Sequence, residues 1–226
     1  MTFSIFGRCA RSGQLGVATT SSSVAVAARC GRWARAGVGV VGTQNITDPT
    51  LGVLGLDLMA RGYGAQGALD ELTEARPHIE YRQLALLDAD GETAYFTGAK
   101  TLGIHAMAKG IDCIACGNLL ADDKVPRAMA DAFLAARDAH LGERLLRALA
   151  AGFTAGGEAG PVRSAGVYVV DRHPWPIIDL RVDWHDAPIE ALRNLHSIYS
   201  PQMNDYIQRA IDPGGAPGYG VPGETK

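Results

Sequence analysis

The chain reads as an α+β domain: two stacked, mainly antiparallel sheets, each covered on its outer face by helices, in a four-layer αββα sandwich. Three observations predict this. Strand-like hairpins alternate with pairs of helix-like segments along the sequence. A glycine- and valine-rich stretch, Ala36-Gly37-Val38-Gly39-Val40-Val41-Gly42-Thr43-Gln44, has the composition of a strand packed closely on its neighbours. No extended β-α-β succession is present, as a parallel doubly wound sheet would require.

The elements follow in order. In Thr2-Phe3-Ser4-Ile5-Phe6-Gly7-Arg8 polar and apolar residues alternate, Arg11-Ser12-Gly13 supplies turn chemistry, and Leu15-Gly16-Val17-Ala18-Thr19-Thr20 resumes the extended pattern. A β-hairpin is therefore expected at once. The valine-rich stretch over 36–44 makes a third strand. Pro49 then opens a segment with Leu51, Leu54 and Leu58 at helical spacing, and after Gly62-Tyr63-Gly64 a second helix carries Ala68, Leu69 and Leu72. A hairpin around Asp90-Gly91 joins strands over 82–88 and 93–97, and the apolar run 111–116 predicts one more strand. Asp122-Asp123 caps a helix reaching 137, and a further helix over 141–153 presents Leu145, Leu146 and Leu149 before the break Gly156-Gly157-Glu158. Strands over 164–170 and 177–182 close the pattern, and a last helix begins near Ala187-Pro188 with Leu192, Leu195 and Ile198 on one face.

With 226 residues, 47% hydrophobic and 20% charged, the chain is long and apolar enough for one substantial core. A single domain is expected over 1–211, followed by a Gly- and Pro-rich tail over 212–226 expected to be disordered. The formal net charge of -3, with the basic residues scattered, offers no stripe for a phosphate backbone, so nucleic acid is excluded as a partner. No apolar run reaches the ~20 residues of a membrane span and the first residues lack a secretory pattern, which predicts no membrane association and a cytoplasmic location. A small-molecule substrate is the expected partner, with a homo-oligomer the protein partner left open.

Four cysteines in a chain this long suggest free thiols. Cys113-x-x-Cys116 has redox or zinc spacing, but within a strand residues three apart face opposite ways, so buried structural thiols are expected. The six histidines show no ligand spacing and Gly37-Val38-Gly39 lacks the third glycine of a dinucleotide loop. No metal and no cofactor are expected. Asp179, Arg181 and Asp183 alternate along one strand and share a face, as a surface ion network would.

The strings Met1-Thr2-Phe3-Ser4-Ile5, Trp33-Ala34-Arg35-Ala36-Gly37-Val38-Gly39, Gly117-Asn118-Leu119-Leu120 and Asp179-Leu180-Arg181-Val182-Asp183 resemble an uncharacterised bacterial family related to the N-terminal-nucleophile (Ntn) hydrolases. The strand-strand-strand-helix-helix order is similar to theirs. That resemblance implies a cleft between two sheets at the chain's start. It makes Thr2 the candidate nucleophile, because initiator methionine is ordinarily removed before a small residue and Thr2 would then carry a hydroxyl beside a free amine able to act as its base. In an arbitrary protein Thr2 would simply start a strand. Relatives place a lysine on the third strand where this chain has Arg35, which can bind an oxyanion or a substrate carboxylate and would favour an anionic substrate, or can be a plain surface residue. Gln44, Asn45 and Asn118 are candidate oxyanion donors, although Asn45 before Thr47-Asp48-Pro49 is also ordinary turn chemistry. Ser21, Arg163 and Ser164 are candidates for substrate contacts. The function so implied is hydrolysis of an amide or other C–N bond in a small, anionic molecule; the alternative is a non-catalytic binding or scaffold protein on the same fold.

Overall fold

Strand β1 (Thr2–Arg8) runs through the middle of the larger sheet, antiparallel to β2 (Leu15–Ser21) on one side and to β8 (Cys113–Asn118) on the other. In this computed structural model, which describes residues 1–74 and 76–224, that sheet is completed by β9 (Ser164–Val170) and β10 (Pro176–Val182) beyond β2, and by β7 (Ala106–Gly110) beyond β8. A smaller sheet contains β3 (Trp33–Arg35), β4 (Gly39–Asn45), β5 (Arg82–Asp88) and β6 (Thr93–Thr97) in that order. All pairings in both sheets are antiparallel. The α+β sandwich expected from the hairpin pattern is therefore present.

The period of two along each strand sorts the side chains into three layers. Phe3 and Ile5 point outward into a core made with Phe133 of α3 (Val125–Ala135) and Leu145, Leu146 and Leu149 of α4 (Leu141–Thr154). Helix α5 (Pro188–Tyr199) adds Leu192 to the same core, and α6 (Met203–Ile211) adds Met203. On the smaller sheet, Val41, Leu84 and Leu86 pack on α1 (Pro49–Ala60) and α2 (Ala65–Thr73). Pro49 at the first turn and Asp48, whose carboxylate accepts from the Thr50 N–H at 3.0 Å, start α1 as the sequence pattern anticipates.

The third layer lies between the sheets and changes character along its length. At one end it is apolar, with Phe6, Leu15, Val17, Val40, Leu87 and Ile114 in contact. At the other end the same inward positions carry Ser4, Thr19, Ser21, Gln44, Gln83 and Asn118, all buried. The apolar end depends on close approach: a Cβ built on Gly42 would stand 2.1 Å from Cζ of the Phe6 ring. Gly42→Ala is expected to destabilise the fold by about 1–3 kcal/mol through forced separation of the sheets, read as a shifted urea midpoint. An unchanged midpoint would mean that Phe6 does not fix the spacing.

Three elements differ from the sequence reading. The apolar run 111–116 is not one strand, because Asp112 adopts φ 57° and Ile111 is exposed; the chain turns there and β7 precedes the turn. The strand expected over 36–44 begins later, since Gly37 takes a positive φ and separates the short β3 from β4. Helix α6 was not anticipated. Beyond it, between 212 and 224, the chain forms turns without helix or strand, and Arg209 donates to the carbonyls of Pro217 and Gly218.

Candidate active site

Thr2 opens β1 directly opposite Asn118 of β8. It is 5% exposed, and Met1, 38% exposed, lies over it. The Met1 carbonyl accepts hydrogen bonds from the Thr2 hydroxyl and from the Ser21 hydroxyl at the end of β2, so two side chains on neighbouring strands converge on one carbonyl oxygen. Ser21 is held for this by the Ser23 N–H, which donates to its oxygen at 3.0 Å. Glu158, buried in the loop after α4, accepts from the Ser22 N–H at 3.1 and 3.2 Å through its two oxygens.

Behind Thr2 a buried side-chain network fixes its own proton directions. Gln83 must donate from Nε2 to the Gly117 carbonyl (3.0 Å), which can only accept, and the same nitrogen reaches the Tyr95 hydroxyl at 2.9 Å. Gln83 Oε1 is therefore the acceptor for Gln44 Nε2 (2.7 Å) and Asn118 Nδ2 (3.1 Å). It follows that Gln44 Oε1 accepts from Ser4 (2.8 Å), and Ser4, its single proton spent, accepts from Thr19 at 2.8 Å. The chain of deductions leaves one atom over. Asn118 Oδ1 is buried with no partner among the described residues, on a residue 0% exposed and directly across from Thr2. Tyr95 stays protonated, since burial pushes its hydroxyl up to about 12.

Burial also dominates Glu158, pushing its carboxyl up to about 7 against the opposing pull of the N-terminal ammonium and the Ser22 N–H. A carboxyl whose folded pKa lies above the ordinary 4.5 binds its proton more tightly when folded, so its contribution to stability is complete below pH 4.5 and is lost as pH rises towards 7. Wild-type protein is therefore expected to lose stability across that window relative to Glu158→Gln, by no more than about 1.4 kcal/mol per pH unit. Parallel pH profiles of the two proteins in thermal unfolding would contradict the assignment.

The family model described as "Family of unknown function (DUF1028)" matches residues 2–192. The chain belongs to this family. A crystal structure from Silicibacter pomeroyi, described as a DUF1028 protein, is similar to it with a TM-score of 0.81 and 32% identity over 88% of this chain and 89% of that one. No curated protein matches the sequence.

In this DUF1028 chain the other sequence candidates fall into two groups. Ser21 and Asn118 stand beside Thr2, and Gln44 lies one layer deeper with both ends of its amide engaged. Asn45, at φ 70°, donates to the Tyr81 carbonyl (2.6 Å) and accepts from the Leu102 N–H (3.2 Å), which ties together loops beside the site. Ser164 holds the turn after β2, accepting from the Val26 N–H and donating to the Ser23 carbonyl at 2.6 Å. Arg163 pairs with the exposed Asp186, and its backbone N–H donates to the Ser21 carbonyl at 2.7 Å. Arg35 is not brought to Thr2. It pairs with Gly39 at the far end of β4, five residues or roughly 16 Å from Gln44, and forms an ion pair with Asp57 at 2.9 Å. There it lines a separate cleft of 560 Å³ with Arg32, Trp33, Tyr168 and Arg172.

The cysteines divide as their spacing implied. Cys113 faces the outer helices and Cys116 the inter-sheet layer, both fully buried and free, with burial pushing Cys113 up to about 12 and Cys116 higher still. Among the described residues no group of three or more metal-binding side chains comes together. No helix among them is long and apolar enough to cross a membrane.

Sequence reasoning missed Glu158, Gln83 and Tyr95. Glu158 sits in a Gly-Gly-Glu break that ends a helix, and its signal was an acid inside a loop otherwise built of small residues. Gln83 had a clearer one: a lone amide at the head of the apolar run Leu84-Ala85-Leu86-Leu87, on the face that alternation directs into the protein.

Proposed function

We propose that this DUF1028 protein hydrolyses an amide or other C–N bond in a small molecule, with Thr2 as nucleophile and base once Met1 has been removed. The observation that carries the reading is the polar end of the inter-sheet layer. A fold stabilised by burial tolerates six buried polar side chains at one end of its inter-sheet layer only at a cost, and their gathering at the end where the second residue lies, with Ser21 and Asn118 beside it, suits a reacting centre better than a core.

In the proposed reaction the Thr2 Oγ1 attacks the substrate carbonyl while its proton passes to the α-amine, whose ordinary pKa lies near ~8. The Ser21 hydroxyl, already directed at a carbonyl oxygen in this place, stabilises the developing oxyanion. The C–N bond then breaks, the proton moves to the leaving amine, and water cleaves the Thr2 ester to release the acid and restore the hydroxyl. Asn118 Oδ1 gives the Thr2 ammonium an acceptor during these transfers, which accounts for an acceptor left unpaired while Met1 holds that nitrogen as an amide. The amides of Gln44 and Asn45 are engaged elsewhere and serve as support. Met1-free protein screened against small amides, with Thr2→Ala as the paired control, tests the reading.

A further inference from the structure

The two sheets are of unequal width, six strands against four, and the wider one is left partly uncovered. The edge strand of the smaller sheet, β3, meets β2 and β9. The inward face of β9 therefore emerges from under β3, and Tyr168 and Val170, which point into the inter-sheet layer, lie at this step. In a close-packed interior such a step would be filled by apolar side chains. Here it is the cleft of 560 Å³, within the roughly 300–1,000 Å³ typical of small-molecule sites. Three arginines border it from three places in the chain: Arg32 just before β3, Arg35 at the end of β3, and Arg172 in the turn between β9 and β10.

Among the described residues no acid lines this cleft. Arg35 is answered by Asp57 at 2.9 Å and Arg172 by Asp171 at 3.7 Å, whereas Arg32 forms no ion pair with a described residue. Asp179, opposite Tyr168 on β10, lies outside the lining. Guanidinium groups gathered at one opening repel each other unless an anion lies among them. The aromatic side of the cleft is rigid. The Trp33 indole lies against α1 at Gly52, where a Cβ would stand 2.3 Å from the ring Cγ, and its Nε1 donates to the Arg29 carbonyl at 3.3 Å. A ring held in this way loses little freedom when a ligand meets it.

We propose that this step between the sheets is a second ligand site, taking a small phosphate monoester that carries a planar ring, of the kind and size of a nucleoside monophosphate. The phosphate oxygens accept from the forked guanidiniums of Arg32, Arg35 and Arg172, which the two oxygens of one carboxylate are too few to engage together, and the ring lies on Trp33 and Tyr168. The site is apart from Thr2 and does not depend on Thr2 being the nucleophile.

Calorimetry on the full-length protein tests this with adenosine and uridine monophosphates against adenosine, inorganic phosphate and benzoate. At least one nucleotide is expected to bind saturably with one site per chain, about tenfold or more tighter than each of the other three probes, and to weaken as salt is raised. Arg32→Glu and Arg172→Glu change exposed side chains and are each expected to lower that affinity about tenfold. In the wild-type protein the bound nucleotide should slow amide exchange over 32–36 and 171–175, a readout that needs no variant to fold. Absence of saturable binding by both nucleotides overturns the inference. So does equal affinity for inorganic phosphate, the mark of a bare anion site, or for benzoate, the mark of a carboxylate site. Nucleotide binding unchanged in both charge-reversed proteins, or exchange slowed only around Thr2 and Asn118, places the ligand elsewhere and overturns it as well.

Discussion

Thr2→Ala is expected to lower amide turnover by about three orders of magnitude or more in protein freed of Met1, because the substitution removes the attacking atom and leaves only binding and the Ser21 donor. Retention of Met1 should silence the site equally, by a different route: the amine becomes an amide without basicity, and the Met1 carbonyl occupies both hydroxyls. Thr2→Ser should keep part of the activity, since both groups survive while the methyl that restricts the rotamer is lost. The three variants separate nucleophile from base, and unchanged unfolding midpoints would show that the fold is not the cause. Turnover at the wild-type rate by Thr2→Ala, on any substrate found, would end the assignment.

Gln83→Leu should be the most destabilising substitution in the inter-sheet layer, at about 3–5 kcal/mol in urea unfolding. The wild-type amide is fully buried and makes four hydrogen bonds, to Gln44, Tyr95, Gly117 and Asn118. Leucine fills similar space but takes from the Gln44 and Asn118 N–H groups, the Tyr95 hydroxyl and the Gly117 carbonyl the bond that each makes to Gln83, leaving Tyr95 with Thr97 and Gln44 Nε2 with the Cys116 sulfur at 3.3 Å. Gln83→Glu is the informative companion: an ionised carboxylate keeps the bonds from Gln44 and Asn118 and loses the two that Gln83 donates, with an unpaired charge added. A cost below about 1 kcal/mol for Gln83→Leu would mean the network is not held through this residue.

The hairpins and the layer order were legible because alternation has a period that survives in one dimension. The β1–β2 pair follows from Thr2 to Thr20 by pattern alone, and its turn from Arg11-Ser12-Gly13. Where hydrophobicity was continuous the pattern failed: Ile111 and Cys113 read as one strand although Asp112 reverses the chain between them, and only its left-handed backbone distinguishes the two cases. The site was legible as a list of residue types and not as a place. Asn118 and Ser21 reach Thr2 because β8 and β2 are its neighbours in the sheet, whereas Arg35 leaves it because β3 pairs with the opposite end of β4. Those distances depend on strand order and register, which no single segment records. Glu158 comes from a loop more than one hundred and fifty residues away in sequence and is brought in by the bridge between Leu120 and Glu158.

The central position of β1 has a consequence for motion. Its backbone amides are bonded to strands on both sides and covered by helices on one face and the second sheet on the other, so their exchange with deuterated solvent should require global unfolding. Thr2, the proposed nucleophile, is then anchored to the last part of the molecule to open and does not travel to meet a ligand. Entry to the site falls instead to its rim, the segments around Leu102 and Ala159 that are hydrogen-bonded to Leu119, whose amides should exchange through small local openings. A protein built in this way separates a rigid candidate site from a yielding rim, and mass-resolved exchange would show the two as the slowest and among the fastest peptides around it.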